Sequence, residues 1–242
     1  MPLSRDDFES LAYHAVMYID GQQVKAEKAI KWIPALWVGR FPDPMILPVA
    51  NDAPAEIPRM MWQSDKKNWG MTISRTSITI NWRKLAKQDA DVIDFERFLA
   101  STSLLLKSFK KSFGQRVGRL ACICQRVARV EKPGKLLAEH FCKTALLKAP
   151  FNRPENFEIH SHKPFILFGK CIVNSWMRVK TAQLATEPSP APLVIVAEQD
   201  LNSTVEEEPD RSFTDSEISQ FYKACPGEMD QILDLYFPKG EK

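Results

Sequence analysis

The feature that most constrains this chain is a long alternation between residues 164 and 201. Phe165, Leu167, Cys171, Val173, Met177 and Val179 share one phase, and Lys170, Asn174, Arg178 and Lys180 fall on the other. A two-residue period puts the two sets on opposite faces of extended chain, one packed and one wet. Pro188, Pro190 and Pro192 break the run before a second apolar stretch, Leu193 to Ala197, which ends at Gln199 and Asp200. The pattern predicts two long strands, and a sheet with one apolar face needs helices to cover it. The expected fold class is α+β: a curved, largely antiparallel sheet covered by helices.

Two cover helices can be read directly. From Asp89 or Asp91 to Phe113, the residues Val92, Phe95, Phe98, Leu99, Leu105, Leu106, Phe109 and Phe113 recur at three- and four-residue spacing, and Gly114 marks the end. Thr214-Asp215-Ser216-Glu217 is a capping box, with Phe213 placed to staple against Ile218. Pro226-Gly227 interrupts that segment, which predicts a kinked helix or a helix pair ending near Tyr236. A shorter helix is expected over Lys135 to Leu147 and a weak one over Gln22 to Trp32.

Further strands are expected at Leu11 to Ile19, Arg59 to Gln63, Gly70 to Trp82 and Arg116 to Val130. The last is apolar on both phases and so central in the sheet. Residues 34–58 hold six prolines, which predicts an irregular connection with short strands at Leu36 to Val38 and Met45 to Val49. Lys148 to Lys163 and Asn202 to Asp210 read as loops. A chain of 242 residues suffices for one domain (1–242), or for two lobes, 1–114 and 115–242, sharing a sheet.

Net charge is only +3, but it is unevenly placed. Ser101 to Ala185 carries 16 Lys and Arg against 4 Asp and Glu, whereas Leu201 to Lys242 carries 4 against 10. Such asymmetry either makes an anion-binding face or lets the acidic tail pack on the basic middle.

Signatures of chemistry are weak. His160-Ser161-His162 and the His140/Cys142 spacing lack the paired ligands of a zinc site, and Cys122-Ile123-Cys124 is strand alternation. No serine sits in a glycine-flanked elbow, and the nine glycines are scattered rather than gathered into a phosphate loop. No residue is assigned a catalytic role, and neither metal nor cofactor is expected. Five cysteines, an odd number, read as buried reduced thiols. No apolar run approaches the roughly 20 residues of a membrane span, and the N-terminus lacks the apolar core of a signal peptide; the expectation is a cytoplasmic protein without membrane contact.

Two binding readings follow. Lys107, Lys110, Lys111, Arg116, Arg126, Lys170, Arg178 and Lys180 are candidates for phosphate contacts on nucleic acid. Trp82, Phe168 and Trp176 are candidates for stacking on bases or for a partner-binding surface. The favoured reading is a non-enzymatic, oligomeric protein-binding module, a homodimer or a partner complex; nucleic-acid binding through residues 101–185 is the alternative.

The order of features resembles a sporadically distributed bacterial family of about 250 residues and unassigned function. The resemblance is carried by Phe113-Gly114-Gln115-Arg116-Val117-Gly118-Arg119-Leu120, by the apolar strand Leu193 to Leu201 closing on Glu198 and Asp200, and by Asp234-Leu235-Tyr236-Phe237. This chain departs from the family's aromatic and asparagine after the Arg strand, having Ala121 and Cys122 there. The resemblance implies an α+β domain and no catalytic residues, in a regulatory, chaperone-like or bacterial defence setting. The element order is also similar in shape to the secretion-chaperone fold, an antiparallel sheet backed by helices.

Overall fold

The computed structural model describes residues 3–20, 24–33, 37, 39–42, 44–85, 92–143, 154–184, 191–204 and 210–240. The strands are β1 (Glu9–Ile19), β2 (Pro44–Ile46), β3 (Met60–Gln63), β4 (Trp69–Ile73), β5 (Ser77–Arg83), β6 (Val117–Ala128), β7 (Glu158–Phe168), β8 (Cys171–Gln183) and β9 (Leu193–Ser203). The helices are α1 (Ala26–Trp32), α2 (Phe95–Phe113), α3 (Pro133–Phe141) and α4 (Asp215–Tyr236). All nine strands join one sheet in the order β2-β3-β4-β5-β1-β6-β9-β8-β7, and every pairing is antiparallel.

One phase of this sheet faces the helices. On β1 that phase is Tyr13, Ala15, Met17 and Ile19, all buried. Trp82, Ile80 and Ile78 of β5 lie beside the first three on one side, and Cys124, Cys122 and Leu120 of β6 on the other. Tyr13 meets Phe95 and Phe98 of α2 at ring distances of 5.0 and 5.5 Å. On the opposite face, Val127, Leu184, Val194 and Val196 form a small apolar cluster of their own. β6 is indeed central, between β1 and β9. Its helix-facing phase is buried from Leu120 to Ala128, and the other phase is half-buried at Arg119, Ile123 and Gln125 and buried at Ala121 and Val127.

The caps act where the sequence places them. Thr214 and Glu217 close the capping box of α4, and Phe213 and Ile218 are both buried. α4 is one continuous helix with Pro226 inside it, rather than a pair. α2 begins later than Asp89 or Asp91, at the Asp94 cap, whose carboxylate accepts the Arg97 N–H at 2.7 Å. It ends at Gly114 in the left-handed region, φ 61°.

Three strand readings need correction. The alternation from Pro164 to Lys180 spans two strands: the chain reverses at Gly169 (φ 50°) and Lys170, and a bulge between Ile166 and Phe168 restores odd-with-odd pairing. Phase therefore runs unbroken through the turn, which is why periodicity alone conceals it. Gly70 to Trp82 is likewise a hairpin, turned at Ser74, whose hydroxyl accepts the Thr76 and Ser77 amides at 3.1 and 2.9 Å. Here the buried phase switches from odd to even, Met71 and Ile73 giving way to Ile78 and Ile80. Finally, the expected loop over Lys148 to Lys163 is strand from Glu158 onward. Of the strand expected at Leu36 to Val38, only Trp37 is among the described residues, and it is helical. Among the described residues, no helix is long and apolar enough to cross a membrane.

Candidate binding surfaces around the β7–β8 hairpin

The basic stretch is largely paired within the chain. Lys107 donates to Ser219 at 2.7 Å, and Lys110 pairs with Asp215 at 2.8 Å, both joining α2 to the start of α4. Arg116 faces Asp20 at 3.3 Å and Asp210 at 3.7 Å. Arg126 points to the helix side, is 8% exposed, and donates to Gln199 and to Asp230 (3.5 Å). Arg178 pairs with Glu198 at 2.6 Å. Lys111, Lys170 and Lys180 are exposed but stand on three different elements: α2, the hairpin turn and β8. The acidic tail thus packs on the basic middle, one of the two uses that the charge pattern allows.

The aromatic candidates separate. Trp82 is a correction: it is 1% exposed and stacks on Tyr13 at 4.9 Å, so it serves the core and reaches neither base nor partner. Phe168 is partly buried against the same core. Trp176 lies on the other sheet face, stacked on His162 of β7 at 4.2 Å, with the Arg178 guanidinium 5.3 Å from its ring. Around it runs a polar network. Gln125 and Arg178 both donate to Glu198, and the Arg119–Asn202–Asp200 chain has bonds of 2.6 and 3.0 Å. Burial pushes the Glu198 carboxyl up, but the bonds from Gln125 and Arg178 hold it below its ordinary value. For Asp200 burial prevails, and its pKa is raised despite the Asn202 bond and the nearby Arg178.

The other phase of β7 makes a groove with α4. Lys163 and Phe165 of β7, Met177 of β8 and Glu228, Ile232 and Leu235 of α4 line a cavity of about 380 Å³. At one wall the hydroxyls of Ser161 and Tyr236 are hydrogen-bonded. β7 is the last strand of the sheet, and along it the exposed Lys163, which lines the groove, is followed by Pro164, which has no N–H to offer. Both features discourage addition of another strand. What the hairpin offers a partner is therefore the groove beside the edge. At its rim Leu235 is 80% exposed. No carboxylate pairs with Lys163 among the described residues.

Sequence reasoning missed this groove because 148–163 read as a loop. The signal was present in Ile159, Ser161, Lys163 and Phe165, alternating with His160 and His162. The histidines find ordinary partners: His160 meets Glu158 at 2.6 Å, and His140 meets the Tyr236 carbonyl at 2.7 Å. Among the described residues no group of three His, Cys, Asp or Glu could hold a metal ion. No protein-family model matches the chain, and no curated protein matches it.

Proposed function

We propose that the protein works by binding rather than catalysis, as a homodimer assembled through the β7–α4 groove, with the Trp176–His162–Arg178 face left open to a protein partner. The observation that carries this is Leu235, a large apolar side chain 80% exposed at the rim of an apolar groove. A two-fold contact needs a surface complementary to itself, and a knob beside a hole satisfies that condition. Charge agrees. Lys163 and Glu228 line the same groove, and a two-fold axis brings Lys163 of one protomer against Glu228 of the partner subunit. Burying Leu235 in this way stabilises a dimer by roughly 1.5–3 kcal/mol for each copy of the side chain.

Nucleic-acid binding through residues 101–185 has less support, since Lys110, Arg116, Arg126 and Arg178 each face a carboxylate of the same chain. One experiment addresses both readings: light-scattering mass during size exclusion, with ultraviolet absorbance ratio, at low and high salt, for the wild type and Leu235→Lys. The expected result is twice the 27.6 kDa of one chain for the wild type and a single-chain mass for the variant. A wild-type monomer overturns the dimer, and nucleic acid that co-elutes at low salt and leaves at high salt favours the alternative.

A further inference from the structure

A second cavity lies on the other side of α4 and is independent of the groove. It measures about 850 Å³, near the top of the usual range for ligand sites, and opens between the N-terminal segment, the start of α2 and the middle of α4. Its buried lining is Tyr13, Phe95, Arg126 and Leu233; its exposed lining includes Asp6, Val92, Asp94, Glu96 and Asp230. The arrangement is unusual for a core crevice. The Arg126 guanidinium on β6 is buried beside Tyr13, Phe95 and Leu233, while Arg5 and Lys84, the other cations of the lining, are paired with Asp230, Asp234 and Glu9, and further carboxylates stand at the mouth.

Arg126 has five N–H donors. Among the described residues it gives them to two side chains, Gln199 and Asp230, the latter at the long distance of 3.5 Å. Gln199 is itself fixed, donating to the Met229 carbonyl at 2.6 Å, so Arg126 cannot swing away. Asp230 has a better partner in Arg5 at 3.1 Å and can release Arg126 without being left unpaired. Tyr13 sits on the neighbouring strand two rungs along from Arg126 in the β1–β6 register. Burial raises its phenol to about 12, so it stays a neutral donor at physiological pH. A guanidinium held in its fork geometry beside a phenol donor is suited to a carboxylate, which it can bind with two parallel hydrogen bonds. Phe95, Ile93 and Leu233 offer an apolar surface next to that position, and Asp6 and Glu96 offer a cation its counter-charges, Asp94 being held by Arg97 at 2.7 and 3.2 Å.

We infer that this cleft binds the free C-terminus of a peptide, with the terminal carboxylate on Arg126, an apolar last side chain against Phe95 and Leu233, and a basic residue just upstream at the Asp6–Glu96 rim. The volume accommodates a few residues, and with Arg5 and Lys84 taken up by Asp230, Asp234 and Glu9, the separation of the buried Arg126 from the exposed Asp6 and Glu96 matches a ligand negative at its end and positive behind it. Glu9 does not compete for the basic residue, because Lys84 and Arg129 hold it at 2.7 and 3.1 Å.

The test is calorimetric titration of the full chain with three probes: lysyl-alanyl-leucine as the free acid, the same peptide amidated at its C-terminus, and glutamyl-alanyl-leucine as the free acid. The free lysyl peptide is expected to bind about tenfold or more tightly than its amide, as loss of charge-assisted bonds to a guanidinium implies. The glutamyl peptide is expected to be weaker by about threefold or more, because it meets the rim with the wrong sign. Glu96→Gln, an exposed change that leaves the core untouched, should weaken the lysyl peptide and not the glutamyl one. Arg126→Lys should erase the difference between acid and amide; should that variant not fold, the wild-type comparison and Glu96→Gln still decide. Equal affinity for acid and amide, or no heat from any probe at millimolar concentration, overturns the inference. Leu235→Lys should bind the peptide normally, so this site and the proposed dimer fail or stand separately.

Discussion

His14 is the side chain whose environment has the clearest consequence in solution. It lies on the sheet face away from the helices, opposite Asn81 and Ile123. Burial lowers its pKa below the ordinary 6.5, with Glu198 opposing only part of the effect. Below pH 6.5 the unfolded chain therefore binds a proton that the folded chain resists, and stability falls as pH drops through that value. Glu9 adds a lower step: the bond from Lys84, together with Arg129, overcomes burial and holds its carboxyl below 4.5, so its contribution is present above that pH and lost beneath it. Urea midpoints measured from pH 8 to 4 should fall in two stages, and His14→Gln should remove the first while keeping the second. A midpoint unchanged between pH 7.5 and 5.5 in the wild type would contradict a half-buried imidazole that stays neutral in the fold. Tyr222 shows a related use of a buried polar group, its hydroxyl donating to the Val16 carbonyl at 2.8 Å and so fixing α4 to β1.

At the scale of elements, α3 is set by a single glycine. A Cβ at position 134 would meet the Pro154 carbonyl oxygen at 2.2 Å and that of Glu155 at 2.5 Å. Both are backbone atoms, so a side chain cannot turn aside to make room. Gly134→Ala should lower stability by about 1–3 kcal/mol, read from urea unfolding. An unchanged midpoint would mean that the 154–155 segment yields more easily than its packing suggests. The helix caps were legible in the sequence because they are local: Thr214 and Glu217 satisfy each other's amides across one turn whatever the remainder of the chain does. The reversal at Gly169 was not, because the bulge beside it lets the alternation continue as though the strand had gone on. The Ser74 reversal was in principle legible, since the buried phase changes parity there and Ser74, Arg75, Thr76 and Ser77 are polar.

For the whole molecule, the uneven charge of the chain becomes a seam between α2 and α4. Lys110 and Asp215 lie 105 residues apart and pair at 2.8 Å on a partly exposed surface. A double-mutant cycle with Lys110→Ala and Asp215→Ala should give a coupling of about 0.2–1 kcal/mol that shrinks in high salt; zero coupling at low salt would make the seam incidental to stability. By itself the sequence determined what depends on neighbours within a few residues: the α+β class, the buried phase of β1, β5 and β8, the start of α4 and the Gly114 end of α2. The tertiary structure decided which strands adjoin, that the chain reverses at Gly169, that Trp82 is core, and which carboxylate each cation meets. It also brought Phe165 and Ile232 to one groove, and Tyr13, Arg126 and Glu96 to one cleft. These outcomes depend on contacts between residues far apart in the chain, and periodicity records only which face a residue takes, not what stands across from it.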